Sequence, residues 1–363
     1  MVKIRVWVVF GGKTPEHEVS LQSAKNIIEA IDKDLFEIIP IGINKEGRWL
    51  LQDSQDYLEN AIDPKSISLK KTSKELALTP GSKNSNITQV HWESIWNLDV
   101  IFPVIHGING EDGSIQWLLQ LLEIPFVGPG ILGSAVAMDK DITKRLLHLV
   151  GINVAKWVTL YAHKKESIDY DDILRRLKTP LFVKPANMGS SVGVSKVSNK
   201  QDLIEAVASA FEYDNKILIE QWVKWRELEC AILGNDTPQA SAIGEVILSD
   251  SFYSYKTKYI SDDGAQIAIP AKLDEQTIKK LQETAILAFQ TIECSGMARV
   301  DFFLTPEGDV YVNEINTIPG FTNISMYPKL WEASGLLYTD LITKLLYLAI
   351  EKSESQSKLK KAF

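Results

Sequence analysis

Charged and polar side chains alternate along the segment 297–316, MARVDFFLTPEGDVYVNEIN, in a pattern that could bind a metal ion. Two strand-like runs flank a Pro-Glu-Gly-Asp turn, so we expect an antiparallel hairpin in which Thr305 pairs with Val310. In that register Asp301 faces Glu314. Because side chains alternate between the two faces of a strand, the same face would also carry Arg299 opposite Asn316, with Phe303 and Val312.

Two carboxylates at opposed positions repel each other unless a cation lies between them. Mg²⁺ takes oxygen ligands of this kind, usually one or two carboxylates together with substrate phosphates. The simpler alternative is an exposed polar face with an ion pair between Arg299 and Asp301. Because a Thr-Ile-Pro-Gly turn follows Asn316 directly, a plain solvent-exposed face fits less well. We therefore predict a magnesium site on this hairpin.

Two glycine-containing loops could bind other parts of a substrate. The loop 11–18, GGKTPEHE, follows a strand-like run and opens a helix, where parallel α/β sheets bind ligands, but it has neither the dinucleotide nor the P-loop glycine spacing. Glu16 at the positive end of that helix could hold an ammonium group, although a bare strand-to-helix turn also fits. The loop 184–193, KPANMGSSVG, could close over phosphates or be an ordinary turn.

The elements that must position these residues follow two different patterns. Strand-like and helical runs alternate at 3–10, 18–31, 36–44, 99–105 and 114–122, which is typical of a parallel α/β sheet. The polar segment 52–97 reads as a surface insertion without chemistry. After the Gly-Pro-Gly sequence at 128–130 comes a helical segment, 131–150, then an antiparallel hairpin at 181–197 and further strands around a helix at 275–290. We expect an α/β unit at 1–128, a central unit at 129–219 and a C-terminal α+β unit at 220–363.

Composition excludes several classes of protein. The 39 Lys and Arg against 47 Asp and Glu give a net charge of −8, which argues against coating of nucleic acid. Hydrophobic residues at 45% and charged residues at 24% are globular values. The apolar run 4–10 is far shorter than the roughly 20 residues of a spanning helix and lacks a cleavage site, so we expect neither a membrane span nor a signal peptide. Two distant cysteines, Cys230 and Cys294, suit buried thiols of the cytoplasm.

Six motifs, in this order along the chain, together resemble the D-alanine:D-alanine ligase family of ATP-grasp enzymes. They are PEHEVSL at 15–21, HG with GEDGSIQ at 106–116, MDK at 138–140, the loop 184–193, YSYKTKY at 253–259 and NEINTIPGFT at 313–322. The similarity runs from residue 3 to about 350. It implies a three-domain ATP-grasp fold with an N-terminal parallel-sheet domain, and ATP bound between the central and C-terminal domains.

The resemblance also assigns roles to residues. It implies that Lys140 and Lys184 bind nucleotide phosphates under the Ser190 and Ser191 loop, that Glu220, Gln221, Trp222 and Val223 form the adenine hinge, and that Glu227 binds ribose. It makes Asp301, Glu314 and Asn316 ligands of two Mg²⁺ ions, or of Mn²⁺ in their place. It puts Glu16 on the ammonium of the first D-alanine, with His106 nearby, and Ser325 and the Met326 N–H on the carboxylate of the second. Arg299 and the Gly320 N–H become oxyanion donors, Lys258 reaches the transferred phosphate, and Tyr259 meets Ser190.

The implied reaction joins two D-alanine molecules through an acyl phosphate, with release of ADP and phosphate, for peptidoglycan precursor synthesis. The family also implies a homodimer, with D-alanine and ATP as partners. The alternatives are a ligase with D-lactate or D-serine as acceptor and a nucleotide-binding regulatory protein without turnover. An NAD-dependent dehydrogenase fits less well because the glycine spacing at 11–18 is wrong. Many relatives have Arg-Glu where this chain has Asn187-Met188, and we expect the phosphate loop to work without that charged pair.

Overall fold

The computed structural model describes residues 2–78, 87–89, 98–223, 225–248 and 265–360. Apart from two small ribbons, the described strands form three sheets, one parallel with an antiparallel edge and two antiparallel. This arrangement confirms the predicted combination of α/β and α+β architecture. The division at 128 and 219 stays a prediction, and the strand Lys216–Gln221 runs across its second boundary.

The N-terminal sheet has the order β3-β2-β1-β8. β1 pairs in parallel with both β2 and β8, as the alternating strands and helices predict, and β3 adds an antiparallel edge. The elements are β1 Ile4–Gly11, α1 His17–Ala30, β2 Phe36–Ile43, β3 Trp49–Leu51, β8 Val100–Val104 and α2 Ser114–Leu121. Since α1 and α2 both begin beyond the carboxyl ends of β1 and β8, their first turns meet at one edge of the sheet.

The polar segment after β3 has more structure than its composition suggests. It forms two short antiparallel ribbons, from β4 Leu58–Glu59 with β5 Ser68–Leu69 and from β6 Leu76–Leu78 with β7 Ile87–Gln89. Tyr57 and Ile67 are buried in the core shared with β1 and α1. These two apolar side chains anchor a segment whose remaining residues are mostly polar. Residues 79–86 and 90–97 of the segment lie outside the described part of the chain.

The central part begins with two helices where the sequence predicts one helical segment. α3 Ile131–Met138 ends and α4 Lys140–Leu149 begins around Asp139, whose side chain caps α4 by accepting from the N–H groups of Asp141 and Ile142. This cap competes with helix continuation because it satisfies N–H groups that an unbroken helix would bond internally. The break makes Lys140 the first residue of α4.

The second sheet has the order β11-β10-β12-β9 and is antiparallel throughout. Leu181 pairs with Val197, which confirms the predicted hairpin at 181–197. Its elements are β9 Trp157–Tyr161, a 3₁₀ turn at Ala162–Ser167, α5 Tyr170–Leu177, β10 Leu181–Pro185, β11 Ser195–Val197, α6 Lys200–Ala210 and β12 Lys216–Gln221. The loop between β10 and β11 is the predicted phosphate loop.

The third sheet has the order β15-β14-β13-β16-β17, with β13, β14, β16 and β17 in an antiparallel series. The elements are β13 Arg226–Gly234, β14 Gln239–Leu248, β15 Ala265–Ala268, α7 Glu275–Thr291, β16 Gly296–Leu304, β17 Val310–Asn316, α8 Met326–Ala333 and α9 Tyr338–Ser357. Helix α7 packs against β13, β14 and β16 through buried Leu281, Ala285, Ala288 and Phe289.

The β16–β17 hairpin has the predicted pairs at its functional end and a different register at its turn. Asp301 pairs with Glu314, and Arg299 with Asn316, as predicted. Val310, however, pairs with Leu304 rather than Thr305. Between the pairs Asp301–Glu314 and Phe302–Val312 the register shifts at a bulge, where β17 has one residue more than β16. The prediction that Val312 shares a face with Phe303 was therefore wrong, because Val312 pairs with buried Phe302. A bulge of one residue exchanges the two faces for the part of the strand beyond it.

One buried cluster joins the N-terminal sheet to the C-terminal helices. It contains Phe10 and Phe102 from the first sheet together with Phe321, Tyr327 and the inner face of α9. Burying each such large side chain contributes on the order of 1.5–3 kcal/mol, so the carboxyl edge of the first sheet is firmly held against the segment 317–327. Among the described helices none is long and apolar enough alone to span a membrane; α8 and α9, bent by 106°, satisfy the length and composition test only as a pair.

Candidate active site

Two adjoining cavities lie between the sheets. The larger, about 690 Å³, lies between the second and third sheets, and the smaller, about 160 Å³, is lined mainly by the ends of the first and third. Lys140, Ser190 and Glu314 line both. We call the larger cavity the nucleotide cleft and the smaller one the Glu16 chamber. Cavities of several hundred Å³ are the usual size for small-molecule sites.

Lys140 projects from the first turn of α4 toward the loop between β10 and β11. Its Nζ donates to the Met188 carbonyl at 2.6 Å, and its backbone N–H donates to the Ala186 carbonyl at 3.1 Å. Burial lowers the pKa of this ammonium, while the nearby Glu314 carboxylate opposes that effect. Because a lysine lies here at the positive end of a helix dipole, the position suits phosphate.

The carboxylate of Glu220 is shared by two ammonium groups. Lys184 lies 2.8 Å from its Oε2 and Lys144 lies 3.2 Å from its Oε1. Burial alone would raise the pKa of Glu220, but the two lysines outweigh it and hold the pKa below its usual value. Burial also lowers the pKa of Lys144 to about 8. The three charges hold Glu220 and Lys184, which line the nucleotide cleft, in fixed positions.

The phosphate loop is held near its start and at its tip. The backbone N–H of Asn187 and its Nδ2 both donate to Oδ2 of Asp214, at 2.8 and 2.9 Å. At the tip, Ser190 and Ser191 both have left-handed backbone conformations, with φ of 52° and 59°. For residues other than glycine such conformations cost roughly 1–3 kcal/mol each and persist where the surroundings impose them. The Ser190 hydroxyl donates to Oε1 of Glu16, which links the loop to the first turn before α1.

Aromatic rings form one wall of the nucleotide cleft. Trp225 stacks on Phe303 with ring centroids 3.9 Å apart and planes inclined by 20°. Its indole N–H also donates to Oε1 of Glu227 at 3.3 Å. Trp222 lies beside Trp225, with centroids 5.8 Å apart. Flat apolar surfaces next to a carboxylate suit a purine nucleoside, whose base stacks and whose ribose hydroxyls donate.

The Glu16 chamber is closed by close backbone approaches. A Cβ on Gly107, whose φ is +72°, would lie 2.4 Å from Oε2 of Glu16. A Cβ on Gly320 would lie 2.7 Å from the Ser325 hydroxyl. The two glycines therefore leave room for the side chains of Glu16 and Ser325 at the chamber wall. Glu16 is only 8% exposed, so its carboxylate, which lines the chamber, suits a compact cation such as an ammonium group.

Arg299 is buried between two carboxylates on neighbouring strands. Its Nε lies 2.7 Å from Oδ1 of Asp301 and 2.7 Å from Oε2 of Glu229. Burial opposes its charge, but these carboxylates outweigh that effect and raise the pKa of Arg299 further above its usual value. The Arg299 to Asp301 ion pair considered from the sequence is thus present, inside the site rather than on a solvent face.

The third sheet brings oxygen ligands together at the junction of the two cavities. Asp301 pairs with Glu229 on the neighbouring strand β13 and with Glu314 on the other neighbour, β17. Nδ2 of Asn316 donates to Asp301 at 2.9 Å. Two opposed carboxylates with an amide beside them form an all-oxygen donor set, so these residues fit Mg²⁺. Within the described ranges, no group of three or more His, Cys, Asp or Glu side chains has metal-binding geometry; the predicted set has two carboxylates.

The described residues predicted from the sequence come together in these two cavities, with one exception. The nucleotide cleft is lined by Lys140, Lys184, Ser190, Ser191, Glu220, Gln221, Trp222, Glu227, Asp301 and Glu314. The Glu16 chamber is lined by Glu16, His106, Lys140, Ser190, Arg299, Glu314, Asn316, Gly320, Ser325 and Met326. Val223, although described, lines neither. Lys258 and Tyr259 lie outside the described residues.

Sequence reasoning assigned no role to four residues that shape the site: Lys144, Asp214, Glu229 and Glu111. Lys144 lies one helical turn after Lys140, and Glu229 lies two residues after Glu227 on the same face of β13, so periodicity could have suggested both. Asp214 and Glu111 each accept from backbone N–H groups distant in sequence or in another loop, contacts for which the sequence carries no spacing signal.

Comparisons with known proteins cover nearly the whole chain. Residues 5–129 match the family model for the D-ala D-ala ligase N-terminus, and residues 146–347 match the model for the C-terminus. D-alanine–D-alanine ligase A of Escherichia coli (strain K12) is 52% identical over 361 residues, 99% of each chain. The structure of the D-alanine-D-alanine ligase from Coxiella burnetii is 38% identical with a TM-score of 0.84, over 98% of this chain and 96% of that one. The VanG D-Ala:D-Ser ligase from Enterococcus faecalis is 37% identical with a TM-score of 0.85, over 96% and 100%.

Fold and site therefore define an ATP-dependent ligase of the ATP-grasp type. Within that class, the chain belongs to the D-alanine–D-alanine ligase family.

Proposed function

We propose that this chain joins two D-alanine molecules to D-alanyl-D-alanine at the expense of ATP, as a step in making peptidoglycan precursors. The observation that supports this most is the shared wall of the two cavities, where Lys140, Ser190 and Glu314 line both. A phosphate held at the end of the nucleotide cleft would lie next to a substrate held by Glu16. Transfer from one to the other needs such contact and the exclusion of water.

The first step activates a carboxylate. An oxygen of the first D-alanine carboxylate attacks the γ-phosphorus, the bond from that phosphorus to the bridging oxygen breaks, and ADP leaves. The ammonium of this substrate binds Glu16, whose carboxylate also accepts from the Ser190 hydroxyl. Lys140, Lys184 and Lys258 bind the phosphates, and the last of these lies outside the described residues. Positive groups aimed at the transferred phosphoryl oxygens lower the barrier.

The second step forms the amide. The amine nitrogen of the second D-alanine attacks the acyl-phosphate carbon and loses a proton, and the tetrahedral intermediate collapses with departure of phosphate. Arg299 and the Gly320 N–H donate to the developing oxyanion, while Ser325 and the Met326 N–H hold the carboxylate of this substrate. All four line the same chamber. Asp301, Glu314 and Asn316 would hold two Mg²⁺ ions, which, when bound, neutralise phosphate charge.

The identity of the acceptor separates this proposal from its main competitor. VanG, a relative of similar fold, is described as a D-Ala:D-Ser ligase, so D-serine must be tested beside D-alanine. D-Lactate is the other alternative acceptor, and a nucleotide-binding regulatory protein would turn over none of them. We propose D-alanine because the family models that match both ends of the chain are those of D-ala D-ala ligases.

The test is phosphate release with ATP and Mg²⁺ in the presence of D-alanine, D-serine, D-lactate or L-alanine, with products resolved by chromatography. We expect D-alanyl-D-alanine as the main product at neutral pH. A Glu16→Gln variant should raise the KM for the first D-alanine far more than that for ATP. Absence of phosphate release with all four compounds would favour the alternative of a nucleotide-binding regulatory protein. Preferred formation of D-alanyl-D-serine would assign the chain to the other acceptor class.

Cytoplasmic location and a homodimer complete the proposal. ATP and the cell-wall building blocks are available in the cytoplasm, and both cysteines are free and buried, as expected for a reducing compartment. Sedimentation at micromolar concentration tests the dimer.

A further inference from the structure

One backbone segment of the Glu16 chamber is held from outside its own sheet. The segment 317–322 follows β17 and carries Gly320, whose N–H is the proposed oxyanion donor. Ile318, two residues before it, is bonded at both backbone groups by side chains of the 106–111 loop. Its N–H donates to Oε1 of Glu111 at 2.9 Å, and its carbonyl accepts from Nδ1 of His106 at 3.0 Å.

These two contacts form part of a longer network. The other oxygen of Glu111 accepts from the Gly107 N–H at 2.8 Å, so one carboxylate joins the two loops. Nε2 of His106 lies 3.1 Å from the Ser23 hydroxyl, which also accepts from the Phe321 N–H at 3.2 Å. The segment is therefore bonded on both sides of Gly320 by residues of the N-terminal part.

The bonding pattern places a proton on Nδ1 of His106, because the Ile318 carbonyl can only accept. In the neutral ring, Nε2 is then the acceptor for the Ser23 hydroxyl. Burial lowers the pKa of His106 in the same direction, toward the neutral ring, although Glu16 opposes it. Both ring nitrogens are thus engaged by the protein. The histidine can line the chamber, but its polar atoms act on the segment 317–322.

We propose that Glu111 and His106 are positioning residues that hold the Ile318 peptide, and through it the Gly320 N–H, in the orientation needed to stabilise the tetrahedral intermediate. This inference rests on the proposed ligase activity. A donor displaced by about 1 Å can cost roughly 100-fold in rate, and loss of one oxyanion donor costs about 10²–10³-fold. The N-terminal part therefore contributes to the second step as well as to binding of the first substrate.

The test compares variants that differ in one bond. Glu111→Gln keeps the volume but turns an NH₂ group toward one of two N–H donors. Asp112→Asn is its matched control, since Asp112 also accepts from two backbone N–H groups, those of Asn109 and Ser114, without reaching Ile318. His106→Asn keeps a donor near the position of Nδ1, whereas His106→Leu removes it.

We expect kcat to fall roughly 10- to 100-fold in Glu111→Gln and His106→Leu, with the KM for ATP within about twofold of the wild type. His106→Asn should recover most of the loss, and Asp112→Asn should match the wild type. A phosphinate analogue of the tetrahedral intermediate supplies a separate readout, because it needs the oxyanion donors. Its affinity should fall with kcat while ADP affinity stays constant.

Three results would overturn the inference: a kcat for Glu111→Gln equal to that of Asp112→Asn, equal rates for His106→Asn and His106→Leu, or parallel losses of phosphinate and ADP affinity. If Glu111→Gln does not fold, the two histidine variants decide by themselves. Absence of phosphate release by the wild type with D-alanine would instead contradict the proposed function, so the two failures are distinguishable.

Discussion

The ammonium group of Lys144 lies 3.2 Å from Oε1 of Glu220, and both side chains are at least 94% buried. Glu220 lines the nucleotide cleft, while Lys144 approaches the carboxylate from the side of α4. Removing one partner of a buried pair leaves an uncompensated charge, which typically costs about 3–5 kcal/mol. Here Lys184 still pairs with Glu220 at 2.8 Å, so the loss should be smaller.

We predict that Lys144→Met lowers the free energy of unfolding by about 2–4 kcal/mol and raises the KM for ATP several-fold. Without Lys144, the Glu220 carboxylate and the Lys184 ammonium that it pairs with are no longer held in the same positions in the cleft. Urea unfolding and ATP titration measure the two effects. Lys279→Met is the control, since Lys279 is 77% exposed and forms a surface ion pair with Glu283; it should change stability by less than about 0.5 kcal/mol. Equal midpoints for the two variants would show that the buried pair contributes no stability.

Glu111 should make stability depend on pH near neutrality. Burial, followed by the nearby Glu16 carboxylate, raises its pKa from 4.5 to about 7 despite two N–H donors. A carboxyl group with a raised folded-state pKa stabilises the fold below the unfolded pKa, and that contribution is lost as pH rises through the folded pKa. The shift corresponds to at most about 3–4 kcal/mol. The relevant window is therefore pH 4.5 to about 7.

We predict that the stability difference between the wild type and Glu111→Gln shifts against the wild type as pH rises from 4.5 to about 7.5. Thermal or urea unfolding without nucleotide and divalent cations measures it. Because the two proteins are compared at each pH, the contributions of other titratable groups to the free energy of unfolding cancel. A difference that stays constant over this window, or that shifts in favour of the wild type, would contradict the raised pKa of Glu111.

Glu314→Gln should nearly abolish turnover and leave the fold intact, because a metal ligand loses its charge and keeps its volume. We expect a circular dichroism spectrum like that of the wild type and a rate below about a tenth of wild type, which corresponds to more than roughly 1.4 kcal/mol. Titration of Mg²⁺ in the presence of ATP should show that the variant binds Mg²⁺ more weakly than the wild type. Retention of most of the activity would remove Glu314 from the metal site.

The hairpin shows which parts of this site can be predicted from sequence. Period-two alternation places Asp301, Glu314, Arg299 and Asn316 on one face without any knowledge of the fold. The turn pairing was wrong by one residue, and the bulge after Asp301 restored the predicted register at the functional end. A bulge depends on strand twist and packing rather than on a residue pattern, so the sequence could not indicate it.

Other parts of the site lie beyond such patterns. The helix break at Asp139 has a capping signal, an aspartate at the start of a helical run, but helical composition on both sides hides it. The role of Glu111 depends on Ile318, 207 residues later in the chain, meeting the loop that contains Glu111. Only the fold brings these two segments together, so no local spacing could have predicted the contact.

The phosphate loop supplies the last prediction, because Asn187 attaches it to Asp214. Two bonds form this contact, one from the backbone N–H of Asn187 and one from its side chain. Asn187→Ala removes only the second, so we expect the KM for ATP to rise about fivefold, the equivalent of roughly 1 kcal/mol for one hydrogen bond. Asp214→Ala removes both bonds and should raise the KM for ATP further. Asn199→Ala is the matched control, since Asn199 also bonds an aspartate, Asp202, through its side chain, at the start of α6. Steady-state kinetics with saturating D-alanine separate these variants. If Asn187→Ala and Asn199→Ala share one KM for ATP, the Asp214 contact does not hold the loop for nucleotide binding.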